Sequence, residues 1–362
     1  MAYLELDIEK LKNNYNFLDD IFSKSDIRWA VVTKVLCGNK QYLGELTKLG
    51  VKQICDSRLT NLKIIKQLDE NIETIYIKPP SRRSAPMVIK YVDISINTEL
   101  STIKALSREA VKQNVKHKII IMIEMGELRE GVMRHEFIDF YEKVFELPNI
   151  EVVGIGANFS CLYGVLPNPD KLIQLSLYEQ LIEAIFNKEI PYISGGSSVV
   201  IPLLLKGILP ISINHFRVGE TLFLGTDLYH DSSIDGMSRD VFKLYAEIIE
   251  LSEKPIVPTG KLGSNIEGKT FEFKDSDIGK NTCRAILGLG LLDVDEKHIW
   301  AVDKNIEFVG ASSDMIVIDI KDNPQNYKVG DILEFTMDYM GLLRLMNSKY
   351  IDKRIKAIDN IA

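Results

Sequence analysis

The sequence predicts an α/β fold: a (β/α)8 TIM-type barrel over residues 1–236, followed by a C-terminal all-β domain over residues 237–362. Eight short apolar runs, each alternating with a helical stretch, predict the barrel. A doubly wound open sheet is the rival arrangement, but it normally opens with a GxGxxG turn, which this chain lacks. After residue 237 the helical periodicity gives way to strand-like runs separated by turns, which predicts the second domain.

The barrel elements follow from local patterns. Asp7 to Phe22 carries apolar residues three and four apart, as in an amphipathic helix. Short runs rich in Val and Ile predict buried parallel strands. These strands are expected at 29–34, 52–57, 74–79, 92–98, 117–124, 151–159, 191–196 and 213–218, with helices near 40–49, 58–68, 99–114, 135–147 and 170–188.

The C-terminal part is predicted to be all-β. Its strand-like runs are separated by Gly, Asn and Asp, the residues that favour turns. We expect strands within 245–253, 269–275, 283–292, 306–320 and 331–340.

Composition and charge exclude several classes of protein. The net charge of −7 argues against a general nucleic-acid surface. No run approaches the ~18 apolar residues of a membrane span, and the first residues lack the pattern of a signal peptide. The four cysteines are far apart, which suits free thiols in a reducing cytoplasm and predicts neither disulfides nor a metal site.

One lysine stands out. Lys34 follows the apolar run Trp29–Thr33, so it is expected at the carboxyl end of the first barrel strand. If its stem lay in an apolar wall, desolvation would lower the pKa of its amine, and a less protonated amine can form a Schiff base. The alternative is an ordinary strand-end lysine that extends into solvent.

Five segments together resemble the alanine racemase family of pyridoxal-phosphate enzymes. Each segment alone is a weak signal, but their order and spacing match over nearly the whole chain. They are 31–38 (VVTKVLCG), 124–131 (EMGELREG), 194–198 (SGGSS), 216–225 (FRVGETLFLG), and 309–319 (VGASSDMIVID) with 328–331 (KVGD).

The resemblance implies pyridoxal 5′-phosphate as cofactor and assigns roles. Lys34 would hold the cofactor and move the α-proton on one face, and Arg217 would meet the pyridine nitrogen. Arg129 would contact the cofactor's phenolic oxygen and the substrate carboxylate, for which a guanidinium fork of donors is suited. The phosphate would be bound by Ser197, Ser198, Gly219, the backbone of Glu220, and Tyr339.

The residues of the 194–198 turn also indicate phosphate binding without the resemblance. Its glycines allow the backbone to approach a phosphate, and a helix-like run follows. An ordinary glycine turn with a serine cap is the alternative. The resemblance further places Ser313 and Asp314 at the site mouth, facing a partner subunit, and so implies a head-to-tail homodimer.

Three positions depart from the family pattern. Cys37 stands near a phosphate-binding tyrosine, Asn158 replaces the histidine that stacks on the pyridine ring, and Thr259 occupies the place of the catalytic tyrosine. A threonine hydroxyl is too weak an acid to protonate a carbanion unaided. The second acid/base therefore stays open among Thr259 and the candidates Cys283, Cys161, Tyr163, Tyr229 and His230.

Segments 156–161 (GANFSC), 194–198 (SGGSS) and 217–220 (RVGE) resemble the subgroup of this family that acts on larger amino acids. The resemblance therefore implies a pyridoxal-phosphate amino-acid racemase for a basic amino acid, ornithine or lysine. The open site has room for a longer side chain, and Glu220 and Asp227 could meet a terminal ammonium. A racemase for alanine, serine or another amino acid is one alternative. A non-catalytic cofactor-binding homeostasis protein is another, although such proteins resemble the barrel alone. An aldolase or dehydratase of this fold would need a metal site, for which Cys283 and His298 are badly spaced.

Overall fold

The chain divides into two compact units in this computed structural model, which describes residues 2–266, 268 and 270–357. One unit is Glu9–Arg239, and the other combines the residues up to Ile8 with those from Asp240 onward. The sequence-based division at 236/237 placed the first residues in the barrel domain. They group instead with the C-terminal part because the first strand pairs with two of its strands.

The Glu9–Arg239 unit is a parallel barrel, which confirms the predicted fold class. Strand β1 (Tyr3–Leu6) belongs to the other unit. The barrel strands are β2 (Arg28–Val32), β3 (Gln53–Asp56), β4 (Glu73–Tyr76), β5 (Ile94–Asn97), β6 (His117–Met122), β7 (Ile150–Gly156), β8 (Tyr192–Ser194), β9 (Gly196–Ser197) and β10 (His215–Val218).

The order of the strands explains how the barrel closes. Hydrogen-bonded neighbours run β8-β7-β6-β5-β4-β3-β2-β10-β9. Only Gly195 separates β8 from β9, so one interrupted strand pairs with β7 on one side and β10 on the other. The eight expected strand positions are thereby all occupied.

Helices follow the strands around the barrel. A short helix before β5 and another after β10 were not expected from the sequence. The helices of this part of the chain are α1 (Ile8–Lys24), α2 (Lys40–Thr47), α3 (Leu59–Leu68), α4 (Ala85–Tyr91), α5 (Leu100–Gln113), α6 (Phe137–Phe145), α7 (Pro169–Phe186), α8 (Ile201–Leu205) and α9 (Glu220–Leu224).

Apolar side chains fill the inside of the barrel. In parallel strands that are covered on both faces, alternate residues point inward while their neighbours pack against the helices. The buried inner cluster is Ala30, Val32, Cys55, Ile75, Ile94, Ile96, Ile120, Met122, Val153 and Tyr192. This packing fixes the strand ends on which the candidate site residues lie.

The second unit is built on a mainly antiparallel sheet. After the small hairpin β11 (Thr226–Asp227) and β12 (Ser232–Ser233) of the barrel unit, its strands are β13 (Phe242–Pro255), β14 (Asn281–Leu287), β15 (Ile299–Ala301), β16 (Glu307–Ala311), β17 (Ile316–Asp319), β18 (Ile332–Met337) and β19 (Asp352–Ile355). Hydrogen-bonded neighbours run β15-β18-β13-β14-β17-β16, and β1 pairs with β13 antiparallel and with β19 parallel.

Two sequence-based expectations for this unit were wrong. The described part of the 269–275 run, residues 270–275, contains no strand, and Phe271 and Phe273 are exposed there. The end of the 331–340 run is helical, because β18 stops at Met337 and α10 (Tyr339–Asn347) follows. Asp338 caps that helix by accepting the Gly341 N–H at 2.8 Å.

Among the described residues, no helix combines the length and the apolar character needed to cross a membrane.

Candidate active site

Lys34 lies beyond the carboxyl end of β2, where a short 3₁₀ turn, Lys34–Leu36, begins. The Leu36 N–H donates to the Thr33 carbonyl at 2.8 Å and closes this turn. Val35 and Leu36 are buried, whereas Lys34 is exposed. The lysine therefore stands at the barrel rim, as expected.

Arg217 is held inside the barrel on β10. Its residue is 5% exposed. One terminal nitrogen donates to the Ser194 carbonyl at 2.8 Å and to the Ser194 hydroxyl. The other donates to the Ala157 carbonyl at 2.8 Å and to Asn158 Oδ1 at 2.9 Å. Burial lowers the pKa of Arg217 from its usual value, but a guanidinium in a protein keeps its proton. The structure thus fixes a positive fork of donors at this point.

Asn158 links Arg217 to Arg129 through a carboxylate. Asn158 Nδ2 donates to Glu130 Oε1, and Glu130 also accepts two bonds from the Arg129 guanidinium. The hydrogen bond with Glu130 raises the pKa of Arg129. Three residues that the sequence analysis singled out therefore form one chain of contacts. Glu130, which completes the chain, was not assigned a role, although it lies within the 124–131 segment.

The two expected phosphate-binding turns meet at one hydroxyl. Ser198 Oγ accepts the backbone N–H groups of Gly219 and Thr221, each at 3.4 Å. A Cβ at Gly219 would lie 3.1 Å from the Val32 Cβ, so glycine permits this close approach. Ser197 and Glu220 are half-buried beside these contacts. The structure brings together the turns that were predicted separately.

Several candidate residues lie in the antiparallel unit. Ser313 and Asp314 are exposed in the turn between β16 and β17, and the Ser313 hydroxyl donates to Asp314 Oδ2 at 2.8 Å. Thr259 is exposed in the segment after β13. Tyr339 is half-buried and is the first residue of α10.

Cys283 is a half-buried residue of β14. Burial, followed by the nearby carboxylates of Asp319 and Glu253, raises the pKa of its thiol. A thiol with a raised pKa stays protonated near neutral pH and is a weaker acid and a less reactive group than an exposed thiol.

Glu127 is a buried carboxylate that the sequence analysis passed over. It is 2% exposed and accepts four backbone N–H groups of the 160–165 loop. They come from Cys161 at 3.1 Å, Leu162 at 2.7 Å, Tyr163 at 3.1 Å and Val165 at 2.8 Å. Burial opposes its charge, but the four donors outweigh burial and lower its pKa. Glu127 thereby fixes the loop that follows β7 and carries Cys161 and Tyr163.

Comparison with known proteins places the chain in a family. The family model described as "Alanine racemase, N-terminal domain" matches residues 6–227. An ornithine racemase from Acetoanaerobium sticklandii is 38% identical over 353 residues, 97% of this chain and 99% of the relative. A lysine racemase from Thermotoga maritima is 33% identical over 353 residues, 97% of each chain.

Solved structures show the same fold. Alanine racemase from Clostridium difficile superposes with a TM-score of 0.74 at 17% identity, covering 98% of this chain and 95% of that chain. Alanine racemase from Bartonella henselae, solved with covalently bound pyridoxal phosphate, gives a TM-score of 0.73 at 16% identity, covering 98% and 99%. The family model and the two full-length relatives lead to one conclusion: this chain belongs to the alanine racemase family.

Proposed function

We propose that this protein is a pyridoxal-phosphate amino-acid racemase that acts on a basic amino acid, ornithine or lysine. The observation that carries the proposal is the similarity, along 97% of the chain, to an ornithine racemase and a lysine racemase. The lysine at the rim of the barrel and the buried arginine on β10 support it independently.

The barrel residues fit the cofactor. Lys34 would hold its aldehyde carbon, and Arg217, supported by Asn158, would meet the ring nitrogen. Ser197, Ser198, Gly219 and the backbone of Glu220 would bind the phosphate. The meeting of the two turns at the Ser198 hydroxyl, which accepts the N–H groups of Gly219 and Thr221, supports this cradle. When bound, the cofactor delocalises the electron pair left at Cα, which is the difficult part of the reaction.

The chain itself would bind the amino acid and move its proton. The Lys34 amine would take or return the α-proton on one face. Arg129 would orient the substrate carboxylate, for which its fork of donors is suited. Because Glu130 already pairs with Arg129, the substrate carboxylate would share or displace that contact.

A second acid/base must serve the opposite face. Thr259 and Cys283 are proposed for it. Although burial raises its pKa, the Cys283 thiol is favoured as the proton donor of the two because a thiol is a much stronger acid than an aliphatic hydroxyl. Cys161 and Tyr163, on the loop that Glu127 orders, are the candidates from the barrel.

Three further assignments concern the side chain of the substrate, the dimer and the cellular location of the protein. Glu220 and Asp227 would meet the terminal ammonium of ornithine or lysine. Ser313 and Asp314 would face a partner subunit in a head-to-tail homodimer, and free cysteines suit a cytoplasmic protein.

Chiral chromatography tests the function. The enzyme, purified and supplied with pyridoxal 5′-phosphate, is incubated with L-ornithine, L-lysine, L-arginine, L-alanine or L-serine. We expect D-ornithine or D-lysine to form at least about tenfold faster than D-alanine, since a terminal ammonium that pairs with a half-buried carboxylate can supply that discrimination. Formation of no D-isomer from any of them, despite tight cofactor binding, would favour the non-catalytic alternative.

A further inference from the structure

A buried carboxylate lies next to the turn that carries Lys34. Asp56 is the last residue of β3 and is 0% exposed. Its Oδ2 accepts the Thr33 hydroxyl at 2.9 Å, and Thr33 directly precedes Lys34. Thr33 is itself fully buried, and its N–H donates to the Cys55 carbonyl at 2.9 Å. The residue before the lysine is therefore held by both its backbone and its side chain.

The same carboxylate also reaches the far end of the turn. Asp56 Oδ1 accepts the Asn61 side-chain amide at 3.1 Å and the Arg58 N–H at 2.8 Å. A Cβ at Gly38 would lie only 2.5 Å from Asn61 Oδ1, so the Asn61 side chain packs directly against Gly38. Gly38 has a φ of +75°, a left-handed conformation that favours glycine. Asp56 thus holds Thr33 at the start of the turn and, through Asn61, Gly38 at its end.

Burying the Asp56 carboxylate costs free energy. A buried carboxylate is unfavourable unless donors satisfy it, and burial raises the pKa of Asp56 despite its hydrogen bonds. An apolar residue at this strand end would pack without that penalty. A function that needs Lys34 at one fixed place gives a reason for the carboxylate.

We propose that Asp56 is a positioning residue for Lys34. It acts through Thr33 and Asn61, and it orients the lysine turn so that the amine reaches the cofactor aldehyde. This inference rests on the proposed function, because it concerns the lysine assigned to the cofactor. It assigns no proton transfer to Asp56 and no contact with the substrate.

A second Asp–Thr pair in the same barrel provides a matched control. Asp93 Oδ2 accepts the Thr74 hydroxyl at 2.9 Å and the Thr74 N–H at 2.7 Å. Thr74 is fully buried, like Thr33, but lies near the start of its strand, away from Lys34. Thr33→Val and Thr74→Val therefore remove the same kind of hydrogen bond from the two ends of the barrel.

The test measures covalent capture of the cofactor. Apoenzyme is mixed with pyridoxal 5′-phosphate, the reaction is stopped with borohydride at intervals, and the adduct on Lys34 is quantified by peptide mass spectrometry. We expect Thr33→Val and Asp56→Asn to slow capture by about tenfold or more, the size expected when a hydrogen bond to a carboxylate is lost. Thr33→Ser, which keeps the hydroxyl, should capture at nearly the wild-type rate.

Thermal unfolding separates positioning from general stability. Thr33→Val and Thr74→Val should both lower Tm, while only Thr33→Val slows capture. Thr33→Val should lower Tm more, because Asp56 is fully buried whereas the Asp93 side chain is 39% exposed and paired with Lys66 at 2.7 Å. Equal capture rates in these two variants would overturn the positioning role and leave the proposed function intact. If the wild-type protein formed no adduct on Lys34, the proposed function would fail, and the positioning role with it.

Discussion

The Ser194 hydroxyl joins Arg217 to His215 inside the barrel. Arg217 donates to this hydroxyl, so the hydroxyl proton is free to point to His215 Nδ1, 2.6 Å away. His215 Nε2 must then carry the ring proton, and it lies 3.2 Å from Gln53 Oε1. The Gln53 amide in turn donates to Glu73. These hydrogen bonds therefore all run in one direction, from Arg217 as the first donor to Glu73 as the last acceptor, and they help to hold the Arg217 guanidinium in place.

The first prediction concerns the state of His215. Burial, with a smaller contribution from Arg217 and Arg28, lowers the pKa of His215 to about 3. We expect ¹⁵N NMR of histidine-labelled protein to show His215 neutral, with its proton on Nε2, throughout pH 5–9. Titration of this ring within that range, or a proton on Nδ1, would contradict the assigned direction. Ser194→Ala should reduce the free energy of unfolding by about 1–3 kcal/mol, because it leaves buried groups unpaired.

The second prediction concerns Glu127 and the 160–165 loop. Glu127→Gln replaces one acceptor oxygen with a donor that faces backbone N–H groups. The amides of Cys161, Leu162, Tyr163 and Val165 should then exchange with D₂O about 10–100-fold faster, as expected for the loss of about 1–3 kcal/mol of local stability. Hydrogen exchange with mass spectrometry measures this. Unchanged exchange across the loop would mean that other contacts hold it.

The pH dependence of the same loop has a defined sign. Because the folded pKa of Glu127 is lowered, its stabilisation is present above the unfolded pKa and is lost as pH falls through the folded pKa. Loop protection in the wild type should therefore weaken only in acid, and Glu127→Gln should remove that acid dependence.

The third prediction concerns Glu179 on α7. Burial, followed by the hydrogen bond with Glu183 and its charge, raises the pKa of Glu179 to about 7. A carboxyl with a raised folded pKa stabilises fully below its unfolded pKa, and that contribution is lost as pH rises through the folded value. Relative to the wild type, Glu179→Gln should therefore gain Tm between about pH 4.5 and pH 8. A constant difference in Tm over this range would show that Glu179 does not titrate there.

The fourth prediction compares two glycines. A Cβ at Gly196 would lie 2.1 Å from the ring of Phe216, whereas a Cβ at Gly44 in α2 would have no atom within 4 Å. Gly196→Ala should cost about 1–3 kcal/mol of unfolding free energy through overpacking. Gly44→Ala should instead stabilise the protein by about 0.4–1 kcal/mol, because alanine restricts the unfolded chain. Chemical denaturation measures both, and equal effects would contradict the packing described at β9.

The barrel was predictable because parallel strands buried on both faces read as continuous apolar runs. The run around Ile119–Ile121, for example, predicts a buried strand, and all three residues are 0% exposed. In the C-terminal unit, the alternation of apolar and polar residues was a less reliable sign of a strand. Phe271 and Phe273 alternate with polar residues, yet no strand forms there, since period 2 does not by itself supply a neighbour to pair with.

The site was predictable only in part. The resemblance identified Arg217, Asn158 and Arg129, and the structure brings them into one chain of contacts. The carboxylates that organise the site were not found. Each of them (Glu130, Glu127 and Asp56) accepts hydrogen bonds from groups that are distant in sequence or from one neighbour. Such contacts leave no periodic pattern in the sequence. A charged residue within an apolar strand, as Asp56 is, was the one usable signal.

The most direct test of the proposed function is solvent exchange at Cα. L-ornithine and L-lysine are incubated in D₂O with holoenzyme and with Lys34→Ala, and ¹H NMR follows the α-proton signal. Because the Lys34 amine exchanges its protons with solvent, the account predicts that the α-proton signal disappears as the D-isomer forms. With Lys34→Ala, the signal should persist and no D-isomer should form. Retention of the α-proton in the wild type, or equal exchange in Lys34→Ala, would contradict the account.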